Sequence, residues 1–262
     1  MFSAVLLLAR VITVLCVGLL LTAVVFDTQV EGMTSGTVPP ESAARVRGQL
    51  VGRRAPLLVV GHNAGDELVA AEDAVAFGVG AVEIDVRDID GELSASHDQP
   101  LPFLQEIAFR GPSLSRAWAI ASLRQTVLLH LKDNSDAFVA RVAQFLAHRP
   151  SRRLVIQASS VATLASVRRR IPQAERLLLI FNGAELASAR RGTAVQSVAD
   201  GLSVQESLVT PAVQQWVRGR RLRLFAWTVN DLPRLEHLIR NGLDGVMTDN
   251  LDLMHLLAVG PR

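Results

Sequence analysis

Cysteine is nearly missing from this 262-residue chain. With Cys16 alone, no intramolecular disulfide can form and a cysteine-rich metal site is excluded. Net charge is also scarce, +2 from 27 Lys and Arg against 25 Asp and Glu. Nucleic-acid binding favours a concentrated basic patch or stripe, so nucleic acid is not an expected partner. Lysine is rarer still: Lys132 is the one lysine, and the other 26 basic residues are arginine. Nor does a Gly-x-Gly-x-x-Gly open any stretch of helical pattern, which weighs against an open dinucleotide-binding sheet. What is present is ordinary for a globular chain, 49% hydrophobic and 20% charged, and excludes disorder over most of the length. The length allows one large domain or two small ones. Mean hydropathy is high at +0.28, and the excess is local.

It sits at the N-terminus. Residues 2–26 are almost wholly apolar, interrupted by Arg10, and 11–26 carry no charge. About 20 apolar residues cross a bilayer as a helix, and an Arg near one end can snorkel to the interface. A cleaved signal peptide is the competing reading, but no charged side chain precedes the run and Val25-Phe26-Asp27-Thr28 offers no small-x-small cleavage site. The expectation is a transmembrane signal anchor over 1–27. The N-terminus and Arg10 precede it and Asp27 and Glu31 follow, so the remainder is expected outside the cytoplasm. Residues 28–55, with Pro39, Pro40 and several glycines, read as a linker.

Beyond it the chain alternates. Short apolar runs at 57–61, 81–86, 93–97, 126–131, 154–156, 177–181, 201–204, 222–229 and 245–247 read as strands. Stretches of helical pattern at 67–77, 136–147, 161–170, 184–191, 211–218 and 232–241 lie between them. Continuous apolar strands separated by amphipathic helices predict a parallel sheet covered by helices. Eight or nine strands in about 205 residues fit a (β/α)8 TIM barrel over 56–262, near the lower size limit of that architecture.

Polar residues gather where such a barrel keeps its chemistry, at the C-terminal ends of the strands. His62 follows the first strand. Glu83 and Asp85 lie at i and i+2 on the second, so both point to one face. His97 and Asp98 end the third, His130 and Lys132 repeat the i, i+2 spacing on the next, and Trp227 and Asn230 end a late one. Like charges that close in an apolar strand need a compensating cation, for which a hard divalent ion with oxygen ligands is the usual answer. In a chain that uses Arg almost everywhere, Lys132 marks a place where a compact point charge is wanted.

At these residues the chain resembles the glycerophosphodiester phosphodiesterase family of phospholipase-C-like barrels. The resemblance runs from about residue 57 to 255. His62-Asn63-Ala64-Gly65 is similar to the family's His-Arg-Gly-Ala, and Glu72-Asp73-Ala74 to its Glu-Asn-Thr. Residues Gly80 to Val86 are similar to its Glu-x-Asp strand, and Asp90-Gly91 with Ser96-His97-Asp98 to its Asp-Gly and His-Asp. Pro112-Ser113-Leu114 resembles Pro-Thr-Leu, and Leu129-His130-Leu131-Lys132 resembles Ile-Glu-Ile-Lys. Trp227-Thr228-Val229-Asn230 and Asp244 to Asp249 match nearly outright.

The resemblance implies His62 and His97 as general acid and base. It implies a divalent cation, Mg or Ca, on Glu83, Asp85 and the position of His130, and substrate contacts from Asn63, Glu72, Lys132 and Trp227. A hydroxyl next to the diester attacks first and water then opens the cyclic phosphate, leaving a glycerol phosphate and an alcohol. The chain departs from the pattern in three places. Asn63 replaces an Arg and removes a bidentate phosphate clamp. His130 replaces a carboxylate, which suits Mn or Zn better than Mg or Ca. The stretch between His97 and Pro112 is short, so the small cap over the site is expected to be reduced. The expected function is a membrane-anchored, metal-dependent phosphodiesterase acting on glycerophosphodiesters or related lipid head groups. The alternative is an inactive barrel that binds a phosphodiester or a protein partner at the membrane.

Overall fold

The computed structural model describes residues 38–51, 53, 55–97, 111–122, 126–149 and 153–258. The expected membrane span and Asp98 lie outside these residues, as does most of the stretch between His97 and Pro112. Among the described residues no helix is long and apolar enough to cross a membrane.

The stretch read as a linker is in part a helix, α1 (Pro40–Leu50). Its prolines had suggested a loop, but Pro40 occupies the first turn, where a missing N–H costs nothing. Val46 is fully buried, and Arg45 pairs with Glu236 at 3.2 Å. The folded unit therefore begins ahead of residue 56.

The body alternates strand and helix: β1 (Leu58–Gly61), α2 (Leu68–Ala76), β2 (Ala81–Ile89), β3 (Glu92–Ala95), α3 (Leu114–Ala121), β4 (Thr126–Leu131), α4 (Asp136–Ala147), β5 (Leu154–Ala158), α5 (Val161–Arg170), β6 (Glu175–Ile180), α6 (Gly183–Arg191), α7 (Ala194–Val198), β7 (Gly201–Gln205), α8 (Pro211–Gly219), β8 (Arg223–Trp227), α9 (Leu232–Arg240), β9 (Gly245–Thr248) and α10 (Leu251–Ala258). Eight strands pair in parallel in the order β1-β2-β4-β5-β6-β7-β8-β9, and β9 returns to β1, so the TIM barrel closes. The helices start where the sequence supplies an acceptor for an orphan N–H: Ser135, Ser160, Asn182, Thr210 and Asp231 each cap the helix that follows.

β3 is not a stave of the barrel. Only Asp90 and Gly91 separate it from β2, both with left-handed φ (53° and 84°), and so tight a turn permits antiparallel pairing alone. The strand expected over 222–229 is also shorter, because Thr228 and Val229 leave the ladder. α3, which the pattern of residues 114–121 had not suggested, follows β3 and packs against α2.

Two apolar layers hold the barrel. Outward-facing strand residues such as Val82, Ile84, Val127, Leu129 and Ile156 pack under the helices. The alternate residues Leu58, Val60, Ala81, Leu128, Val155, Leu177, Phe225 and Met247 fill the interior. Burying one such large side chain stabilises by roughly 1.5–3 kcal/mol. Gly201 and Gly245 make the filling possible. A Cβ on Gly245 would stand 2.2 Å from the Phe225 ring, and one on Gly201 2.8 Å from Leu177.

Candidate active site

Side-chain alternation carries the interior upward into chemistry. Along β2 the inward series runs Ala81, Glu83, Asp85. Along β4 it runs Leu128, His130 and then Lys132 just past the strand, and along β5 Val155, Gln157. The first member of each series belongs to the apolar filling and the later ones form the C-terminal rim. Register sets Asp85 beside His130 and His130 beside Gln157. His130 Nδ1 therefore stands 2.7 Å from Asp85 Oδ1, and Lys132 Nζ stands 2.8 Å from Asp85 Oδ2. Gln157 Nε2 donates to Glu83 Oε1 at 3.0 Å, and His130 Nδ1 lies 3.8 Å from the same oxygen.

Glu83 and Asp85 are 1% and 0% exposed. Burial alone would push the Asp85 carboxyl up, but its bonds and charges with His130 and Lys132 win and hold it down at about 2. At Asp66 the balance is reversed, because the Asp85 N–H and the Lys132 charge are outweighed. Burial, with the charge of Asp85 added, raises its pKa well above the ordinary carboxylate range. Its Oδ1 accepts the Asp85 backbone N–H at 2.8 Å, so it works as a brace under β2.

The barrel's closure builds the second half of the site. Because β9 pairs with β1, Asp249 reaches His62: Oδ1 lies 2.8 Å from Nδ1. Asn230 holds Asp249 in turn, donating to Oδ2 at 2.8 Å and accepting the Asp249 N–H at 2.9 Å. A carboxylate only accepts, so the ring proton sits on Nδ1 and Nε2 is the nitrogen left for a substrate. Burial opposes charge on His62. The Asp249 hydrogen bond and the charges of Glu83, Asp249 and Asp85 outweigh burial and push its pKa up to about 9.

Asn63 follows in a left-handed conformation (φ 50°) and turns its N–H toward Glu83 Oε2 at 3.4 Å. The next turn, Ala64–Asp66, is pressed onto β2, and a Cβ on Gly65 would lie 2.3 Å from Ile84. His97 is exposed just past β3, where its carbonyl accepts Arg87 Nη2 at 2.8 Å. Trp227 ends β8, edge-on to Phe181 with ring centroids 5.1 Å apart.

Glu72 is elsewhere. It lies on the exposed side of α2, whose inward positions are Ala71 and Ala74. The helix has already begun at Leu68, so Glu72 is carried away from the rim, and Asp66 is the acid buried there. Asp66, Gln157 and Asp249 complete the site and were not among the expected residues. Gln157 had a signal, as a polar residue of inward parity inside Leu-Val-Ile-Gln-Ala. Asp66 had only its place four residues after His62.

Glu83, Asp85 and His130 each offer one ligand atom, all within 4.8 Å of one another. Two buried carboxylates and an imidazole converging on one point are a donor set that fits a divalent cation.

Comparison with known proteins agrees with this architecture. Residues 83–253 match the model of the family described as the glycerophosphoryl diester phosphodiesterase family. One solved structure that superposes well is an Oleispira antarctica phosphodiesterase in complex with its product sn-glycerol-3-phosphate. It shares 20% identity and a TM-score of 0.65, over 78% of this chain and 96% of that one. Glycerophosphodiester phosphodiesterases from Agrobacterium tumefaciens str. C58 and Parabacteroides distasonis ATCC 8503 each share 18% identity and a TM-score of 0.59. They cover 77% and 79% of this chain, and 99% and 98% of their own lengths. At such identities the likeness is one of fold. No curated protein matches the chain by sequence.

Proposed function

The chain belongs to the glycerophosphoryl diester phosphodiesterase family, a family of phosphoric diester hydrolases, and from that premise we propose that it is a metal-dependent enzyme cleaving glycerophosphodiesters or related lipid head groups. The observation that carries the reading is the buried group of Glu83, Asp85 and His130, with Lys132 paired to Asp85 and His62 aligned by Asp249.

Each residue has a task its geometry suits. Glu83, Asp85 and His130 would hold the divalent cation, which when bound neutralises phosphate charge and polarises phosphorus. The imidazole favours Mn or Zn over Mg or Ca. Lys132, anchored through Asp85, presents its remaining N–H bonds to a phosphoryl oxygen. His62 and His97 exchange protons with the reacting oxygens. One takes the proton of the attacking hydroxyl while the other protonates the departing alcohol as its P–O bond breaks. The cyclic phosphate is then opened by water with the roles reversed. Asn63 supplies no charge where a clamping guanidinium would stand, so phosphate recognition falls more heavily on Lys132. Trp227 with Phe181 walls the rim as an aromatic substrate contact.

The reading includes an anchor. Residues 2–26 are long and apolar enough for one membrane span, with the barrel on the extracytoplasmic side and a membrane-derived diester within reach. Resistance to alkaline extraction and protease access from outside would support this; release by alkali would remove it.

The function is tested with the chelator-stripped full chain, supplied with glycerophosphocholine, glycerophosphoethanolamine or a lysophospholipid and Mg, Ca, Mn or Zn in turn. The expected result is turnover that needs metal and that His62→Ala lowers by roughly 10²–10⁴. Folded protein that turns over none of these pairs, or that ignores the chelator, would overturn the reading and leave a phosphodiester-binding barrel.

A further inference from the structure

The opposite end of the barrel carries a second polar cavity that the reaction does not use. It occupies about 270 Å³ among the last turn of α8, the loop into β8, the loop into β9 and the segment leading to β1. All of these lie at N-terminal strand ends. β8 alone separates them from the rim by five residues, about 16 Å at ~3.3 Å per residue. One small molecule cannot fill both sites.

Arginine dominates the lining. Arg53, Arg218, Arg221 and Arg223 all face the cavity. Arg223 pairs with Glu175, which also pairs with Arg153. Among the described residues the others are not paired with acids. Arg53 donates to the Leu243 carbonyl, and Arg218 donates to the Asn241 carbonyl at 2.8 Å while resting against Gly242. Carbonyls fix a guanidinium in place without cancelling its charge. Arg221 is exposed, at a left-handed φ of 57°. The one carboxylate in the lining, Asp244, is partly occupied, its Oδ2 accepting the Leu224 N–H at 2.8 Å. Three unneutralised guanidiniums against one acid leave the cavity net positive.

A second observation narrows the ligand. Gln214 lines the cavity and is 3% exposed. Its Nε2 is committed to the Leu238 carbonyl at 3.0 Å, and among the described residues its Oε1 has no partner. A buried acceptor without a donor is costly, so the occupant should bring an O–H as well as negative charge. The volume holds roughly nine waters at ~30 Å³ each, ample for a phosphoryl group and a short polyol.

We propose that this cavity binds a phosphoryl group carried on a hydroxyl-bearing alcohol, the chemistry of a free glycerol phosphate and of a glycerol-bearing lipid head group. The site is separate from the catalytic rim and does not depend on the reaction assigned there. Forked guanidiniums suit phosphate oxygens, and Gln214 Oε1 would accept a hydrogen bond from the hydroxyl.

The test is calorimetric titration of the full chain with two probes, sn-glycerol 3-phosphate and monomeric dihexanoyl phosphatidylglycerol. Arg221→Asn keeps a residue that tolerates the left-handed backbone, and Arg53→Gln is the second variant. Each is expected to weaken binding about tenfold or more, with kcat/KM of the phosphodiesterase unchanged. Lys132→Gln, at the other end of the barrel, should leave this binding intact. Binding of the first probe alone identifies a soluble phosphate ester, and of the second alone a lipid head group. Failure of both probes to bind, or binding that Lys132→Gln abolishes and the arginine variants do not change, overturns the proposal.

Discussion

Asp249→Asn should lower the pKa of His62 from about 9 toward its ordinary value near 6.5. The replacement keeps the shape of the side chain and a carbonyl oxygen for the Nδ1 proton, 2.8 Å away, but removes the charge. Burial pulls the His62 pKa down and does so still in the variant. Against it, Asp249 supplies the hydrogen bond and one of three attracting charges, with Glu83 and Asp85 supplying the others. Roughly half of the rise, more than one pH unit, should go with it. The sign for stability follows. A histidine whose folded pKa exceeds its unfolded value stabilises fully below about 6.5 and loses that contribution as pH climbs through about 9. The whole rise corresponds to ~3 kcal/mol at 1.36 kcal/mol per unit, an upper bound for a side chain still 20% exposed. The metal-free wild type should thus lose more stability than Asp249→Asn between pH 6.5 and 9. The assays are an NMR titration of the His62 ring in chelator and urea unfolding at both pH values. Adding a divalent cation should lower the His62 pKa, since it neutralises Glu83 and Asp85. A wild-type His62 titrating near 6.5 without metal, or an unmoved pKa in the variant, would refute the reasoning.

Lys132→Met should leave the buried Asp85 short of one counter-charge, destabilising the fold by about 3 kcal/mol in chemical denaturation and lowering kcat/KM. His130→Glu should shift metal preference on the order of tenfold toward Mg or Ca, read as the ratio of Kd values by calorimetry; an unchanged ratio would take His130 out of the ligand set. Gly245→Ala should overpack the barrel interior against Phe225, costing about 1–3 kcal/mol and several degrees of Tm, with no direct change at the rim.

Much of the barrel was legible because strand burial is written locally. Short, mainly apolar runs of three to eight residues mark strands covered on both sides, and each parallel stave was visible as one. What was not legible has particular causes. Pro40 looked like a linker residue because its value at the first turn of a helix shows only once Val46 has something to bury against. β3 looked like a further stave because hydrophobic pattern does not distinguish a hairpin arm from a barrel strand; its two-residue turn did. Glu72 matched a motif in letters, but the start of α2 at Leu68 placed it on the solvent side, while Asp66 took the buried position under Asp85.

Alternation along a strand is a property of the backbone, so the sequence by itself determined that Glu83 shares a face with Asp85 and His130 with Lys132. Which residue meets which across strands was decided by register. Asp85 stands beside His130, and His130 beside Gln157, only because β2, β4 and β5 pair as they do. His62 and Asp249 lie 187 positions apart, and nothing local links them. They meet because eight twisted strands close on themselves, laying the last beside the first. Their hydrogen bond, and the charge it places on His62, belong to the tertiary structure alone.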